Sequence, residues 1–243
     1  MPPATPPPTI TTRETGPFEI PFDGVTNGKD RHVYYVVGRT KVERQPSRLL
    51  ANLHGVCNPP GYACGYWVNA AANTGFLVCP SGNARCGGPT GPPTWTESIA
   101  QMDADLEAAI ALVQARHEGE IRREGAILTG FSMGAYAAYQ IALAHPGRWP
   151  YLILTESNVE LDKARLERAG VKAVALIAGE IGSQVGGERK TAARLERQGY
   201  HARLWVMKGA GHHYSADIDE IMAEAIRFVL ESEADAGVDT NDR

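Results

Sequence analysis

Gly130-Phe131-Ser132-Met133-Gly134 is the stretch whose residue types and spacing can do chemistry most directly. A serine on a sharp turn between a buried strand and a helix sits in a strained conformation, and the backbone approaches itself so closely there that the neighbours must be small. Glycines at both flanks meet that need. The hydroxyl then stands at a helix N-terminus, where backbone N–H groups and the helix dipole favour a developing negative charge. Five residues alone are weak in a Gly-rich chain, but GAILTGFSMGAYAAYQIALAHP supplies strand, turn and small-residue helix in the required order. Ser132 is therefore expected to be a nucleophile rather than a structural serine.

Two further groups carry chemistry. Cys57 and Cys64, then Cys79 and Cys86, repeat one C-x6-C spacing in loops after predicted strands, and an even count suits disulfides. Four cysteines allow three connectivities; the equal spacing favours Cys57–Cys64 with Cys79–Cys86. A zinc site is disfavoured because the C-x2-C ligand pattern is missing. His212 and His213 are adjacent, yet no further His/Asp/Glu cluster has ligand spacing, so neither a metal nor another cofactor is expected. His32, His117, His145 and His201 sit at element ends and read as surface or capping residues.

The elements that must position these groups alternate strand and helix, the pattern of a largely parallel sheet covered on both faces. Residues 18–24 and 31–38 resemble an opening hairpin, and 48–55 and 75–82 read as buried strands, each followed by turn-rich sequence. Thr94 to Glu97 can form a capping box for a helix whose Ile99, Met102, Leu106, Ile110 and Val113 recur at three- and four-residue steps to about His117. Further strands are expected at 125–131, 151–156, 172–180 and 201–209. Helices fall at 132–144, stopped by Pro146, at 161–169 and at 188–198, the last two closed by glycines. Ser215 can cap a final helix with an apolar face of Ile218, Ile221, Met222, Ala225 and Val229.

Bulk properties fit one α/β domain. The chain has 243 residues, 43% of them hydrophobic, and a formal charge of −4 that is concentrated in Glu231, Glu233, Asp235, Asp239 and Asp242. Without a basic stripe, neither nucleic acid nor an anionic membrane surface is an expected partner, and no apolar run is long enough for membrane insertion. Residues 1–16 read as a Pro/Thr-rich flexible segment, 17–230 as the domain and 231–243 as an acidic disordered tail. Met1 directly before the linker fits an export signal exchanged for an initiator; an ordinary cytosolic tail fits too, and the cysteines tip the balance toward a secreted or extracytoplasmic protein.

With these residues in view, the chain resembles the α/β-hydrolase superfamily, near its esterase, polyester-hydrolase and dienelactone-hydrolase-like branches. The resemblance spans about Phe18 to Leu230. It implies a mostly parallel sheet of about eight strands, helices on both faces and no large lid domain. Leu53-His54-Gly55-Val56 is similar to the family's oxyanion-loop motif, which gives Val56 and Met133 the backbone N–H donors of the oxyanion hole and leaves His54 as a buried brace. Gly209-Ala210-Gly211-His212-His213 matches the catalytic-histidine loop, with His212 as general base and His213 at packing or the pocket rim. The acid departs from the family pattern, since Gly179-Glu180-Ile181-Gly182 places glycine where aspartate is usual. Glu156, ending the preceding strand, is favoured as the triad acid, with Glu180 as the alternative.

What this implies is a carboxylic ester hydrolase acting through an acyl-enzyme on small or polymeric esters, without a cofactor. Trp95, Tyr62 and Trp67 are candidates to line the substrate pocket, with ordinary loop packing as the equal alternative. A serine peptidase on the same triad is compatible. So is a binding protein on a hydrolase scaffold weakened by loss of the usual acid.

Overall fold

The computed structural model describes residues 8–25, 30–96 and 98–238, the side chains of 234–238 excepted. In chain order the elements are β1 (Ile10–Thr12), β2 (Phe18–Pro21), β3 (His32–Val36), β4 (Thr40–Val42), β5 (Ser47–Leu53), α1 (Pro60–Tyr66), α2 (Val68–Ala72), β6 (Gly75–Pro80), β7 (Ala84–Arg85) and β8 (Pro93–Thr94). Then follow α3 (Ile99–Arg116), β9 (Ile121–Phe131), α4 (Met133–Ala144), β10 (Tyr151–Thr155), α5 (Lys163–Arg168), β11 (Ala173–Gly179), α6 (Val185–Arg197), β12 (His201–Met207) and α7 (Ile218–Val238). Eight strands form the central sheet in the order β12-β11-β10-β9-β5-β6-β3-β2. It is parallel from β12 to β6, and β3 and β2 continue it antiparallel.

Parallel strands covered on both faces alternate two apolar surfaces, and β10 illustrates this. Its Leu152 and Leu154 pack into one core with α3, α4, α5 and α6, whereas Tyr151 and Ile153 pack into the other with α1, α2 and α7. The expected stripe of α3 is buried as predicted: Met102, Leu106, Ile110 and Val113 are fully covered. Each such side chain stabilises by roughly 1.5–3 kcal/mol. Register places the ends of β9 and β10 side by side, Phe131 opposite Thr155, and those of β11 and β12 likewise, Gly179 opposite Met207. The segments that follow these strands therefore converge on one edge, where open α/β sheets carry their ligand sites.

Several expectations are corrected. The cap of α3 is Ser98, whose side chain accepts from the Gln101 N–H; Thr94 belongs to β8, and Glu97 lies outside the described residues. Ser215 donates to Asp217. The short helices α1 and α2 replace expected turns, because Pro60 at the first helical position is compatible with a helix and the alanines of α2 pack on the sheet. β1 pairs antiparallel with β4 inside the segment expected to be flexible. At the other end α7 runs past residue 231, where the half-exposed Glu233 forms a bidentate pair with the buried Arg48.

The disulfides are Cys57–Cys86 and Cys64–Cys79, not the two local C-x6-C loops. Pro59-Pro60 starts α1 between Cys57 and Cys64, so Cys57 stays in the loop after β5 while Cys64 is carried into the core against β6, which holds Cys79. The bridges close nested loops of 29 and 15 residues. Closures of that length stabilise by about 3–4 kcal/mol each on the chain-entropy account.

Candidate active site

Ser132 follows β9 and precedes α4 with φ 53° and ψ −119°, a conformation that costs an L-residue about 1–3 kcal/mol. Its N–H donates to Thr155 O at 2.8 Å, which fixes the turn to the neighbouring strand. The flanking glycines answer the crowding. A Cβ on Gly134 would lie 1.9 Å from Leu53 O, and one on Gly130 would lie 2.3 Å from the Gly134 backbone.

His212 follows β12 by five residues and brings two partners together. Its Nε2 lies 2.9 Å from Ser132 Oγ, and its Nδ1 lies 3.0 Å from Glu156 Oε2. Glu156 follows β10, is buried, and takes φ 55°, which turns its side chain along the sheet edge toward His212. Its N–H donates to Ile177 O, and its Oε1 accepts from the Gly179 N–H. Glu180 is not part of this cluster: exposed, it accepts from the Gly209 N–H at 2.9 Å. Gly182, where an aspartate was missed, sits against the same acid; a Cβ there would lie 3.3 Å from Glu156 Oε2.

A second carboxyl lies behind Glu156. Glu188 of α6 is buried and its Oε1 accepts from the Ser157 N–H at 2.7 Å. Burial first, and then the Glu156 charge, push its pKa up to about 9, so it is neutral at pH 7. Sequence reasoning missed it, since nothing separates Glu188 from the solvated acids of a polar helix except its place on the inner face of α6.

An open cavity of about 490 Å³ lies over Ser132 and His212, lined also by Val56, Tyr62, Phe131 and Tyr214. His213 stands at its rim, its Nδ1 3.0 Å from Tyr214 O. Neither the Val56 nor the Met133 backbone N–H has a hydrogen-bond partner among the described residues. A Cβ on Gly55 would lie 3.3 Å from Ser132 Cβ, so the Val56 loop abuts the serine. Of the three aromatic candidates only Tyr62 reaches the cavity. Trp67 is fully buried in the core beneath α1 and α2, and Trp95 is buried against His54, stacked at 4.9 Å. Phe131 and Tyr214 line the cavity instead; their sequence signal was adjacency to the serine and histidine motifs.

His54 is the buried brace expected of it. The Gly82 N–H donates to its Nε2 at 2.8 Å, and its Nδ1 donates to Gly55 O at 2.7 Å. Burial lowers its pKa to about 4, so the ring is neutral. Among the described residues no three His, Cys, Asp or Glu side chains cluster to hold a metal ion, and no helix is long and apolar enough to cross a membrane.

Comparison with solved structures decides the fold. The Staphylococcus aureus fluorophosphonate-binding serine hydrolase FphF superposes with a TM-score of 0.62 at 12% identity, over 92% of this chain and 99% of that one. The chain has the α/β-hydrolase fold. A ferulic acid esterase from Anaeromyces mucronatus, in complex with ferulic acid, matches with a TM-score of 0.60 at 17% identity, covering 93% of this chain and 90% of its own. Esterase PE8 matches with a TM-score of 0.57 at 21% identity, covering 90% and 100%. No protein-family model and no curated sequence relative matches.

Proposed function

We propose that this α/β-hydrolase is a serine carboxylesterase with Ser132 as nucleophile, His212 as general base and Glu156 as triad acid. The observation that carries the reading is the relay from Glu156 Oε2 through His212 to Ser132 Oγ, with both contacts at hydrogen-bond distance. Glu156 accepts the Nδ1–H, which leaves the Nε2 lone pair facing the serine hydroxyl. Ser132 Oγ attacks the ester carbonyl carbon as its proton passes to Nε2. The carbonyl oxygen becomes an oxyanion between the Val56 and Met133 N–H groups, a term worth about 3–4 kcal/mol per donor in enzymes where it has been measured. The C–O bond to the alcohol then breaks, Nε2 returns the proton to the leaving alkoxide, and water repeats the sequence on the acyl-enzyme.

The seven residues between β10 and α5 are too few for a lid, and an open cavity suits short esters or chain segments of a polymeric ester. Tyr62, Phe131 and Tyr214 give it aromatic walls, which fits esters of aromatic acids such as the ligand of the ferulic acid esterase neighbour. The bonded triad acid supports an active enzyme over a binding protein on a disused scaffold, and the two disulfides support an extracytoplasmic location. A fluorophosphonate should add one equivalent of mass at Ser132, and Ser132→Ala should lose both the label and p-nitrophenyl ester turnover. Labelling elsewhere, or turnover retained by the variant, would sink the assignment.

A further inference from the structure

We propose that residues 82–95 form a strap, fastened by the Cys57–Cys86 disulfide, that positions the Val56 N–H for the oxyanion. The proposal rests on the esterase reading above and assigns a role to the segment that carries Trp95, one of the residues the sequence suggested as pocket lining.

One peptide plane couples the strap to the donor. Gly55 C=O and Val56 N–H belong to the same rigid amide and point in opposite directions, so whatever holds the carbonyl aims the N–H. That carbonyl accepts from His54 Nδ1. The tautomer this requires is imposed by the strap: the Gly82 backbone N–H can only donate, so His54 Nε2 must be bare and the ring proton must sit on Nδ1. At the far end of the strap, Trp95 donates its indole N–H to His54 O at 3.0 Å and stacks on the imidazole. Cys86, midway, is bonded to Cys57, which immediately follows Val56 and takes φ 52°. Thus His54 and Cys57 are held on either side of the donor, while the Val56 side chain itself is exposed.

The strap is itself anchored. The buried Arg31 guanidinium donates to Ser81 O at 2.7 Å, one residue before Gly82. Ala84 and Arg85 pair with Thr94 and Pro93, and a Cβ on Gly82 would lie 2.1 Å from Thr94 O, so both ends of the strap close on each other. The other bridge, Cys64–Cys79, joins α1 to β6 inside the core.

The test compares the two bridges. Wild type, Cys57→Ser/Cys86→Ser and Cys64→Ser/Cys79→Ser are assayed for kcat and KM on a p-nitrophenyl ester, for inhibition by an aryl boronic acid that forms a tetrahedral adduct on the serine, and for Tm. Removing the strap's bridge should lower kcat at least about tenfold, part of the 10²–10³ carried by a whole donor, and weaken the boronate in parallel, with KM within about threefold. Removing the core bridge should lower Tm with kcat within about threefold. Unchanged kcat in the first variant, or equal kcat losses in both, would overturn the proposal. Should the first variant not fold, Trp95→Phe keeps the ring stack and removes the donor to His54 O; it should lower kcat several-fold at constant KM, and an unchanged kcat there overturns the strap. A wild type that neither labels nor turns over would defeat the esterase reading instead, which keeps the two failures distinct.

Discussion

Glu156→Gln is the most discriminating single change, because the carboxyl is gripped from both sides. Oε1 faces the Gly179 N–H, an obligate donor, and Oε2 faces His212 Nδ1. Glutamine keeps the shape but has only one acceptor. With its carbonyl on Gly179, its amide donates to Nδ1 and forces the proton to Nε2, where the ring can no longer accept from Ser132. With the amide flipped, two buried donors meet at Gly179. Reaching the productive tautomer therefore leaves buried donors face to face, about 1–3 kcal/mol for each unsatisfied group, and the imidazolium also loses its counter-charge. The sum corresponds to a loss between about 10² and 10⁴ in kcat, the upper end being the cost of the equivalent change in the serine-protease template. Tm should move little. The assay is p-nitrophenyl acetate turnover across pH 6–9 beside thermal melts. Glu156→Gln activity within tenfold of wild type would refute the tautomer argument, and a larger deficit in Glu180→Gln would move the acid to Glu180.

Two further outcomes follow from buried groups. Glu188 has its folded pKa raised from 4.5 to about 9, so its contribution is fully present below pH 4.5 and is lost as pH rises through 9. Urea unfolding of Glu188→Gln and wild type should diverge in favour of the variant by about 3 kcal/mol between pH 5.5 and 8, and parallel curves would show that the carboxyl is not held neutral. Peptide mapping without reduction should recover Cys57 joined to Cys86 and Cys64 joined to Cys79; Cys57–Cys64 peptides would contradict the fold around α1.

Local chemistry was legible in the sequence, and long-range geometry was not. The serine turn could be read because its glycines, strand and helix are contiguous, and His212 because its glycine-rich loop ends a strand. The acid required a guess between two strand ends, since a carboxylate's partner is set by the direction its backbone turns, and Glu156 does so through a positive φ that no residue type announces. Trp67 and Trp95 sit in Gly/Pro-rich stretches that look like surface loops, yet one enters a helix junction and the other stacks under a bracing histidine. Equal cysteine spacing suggested local bridges because it carries no information about α1, whose onset sends the two sulfurs in different directions.

Gly182 marks a second position from which the proposed triad acid could be supplied. Its Cβ direction leads to the carboxylate of Glu156, so two loops from adjacent strands address one point beside His212, and that point rather than either position is what catalysis requires. An acid can therefore migrate between strands in descent without the histidine or serine moving. The passage is narrow: a chain bearing both acids would press two carboxylates together, and one of them would have to stay protonated. Glu188 shows that this neighbourhood already keeps one carboxyl in that state. Transplanting the acid to residue 182 therefore calls for vacating residue 156 in the same step, since single changes in either order give a crowded pair or an acid-free enzyme.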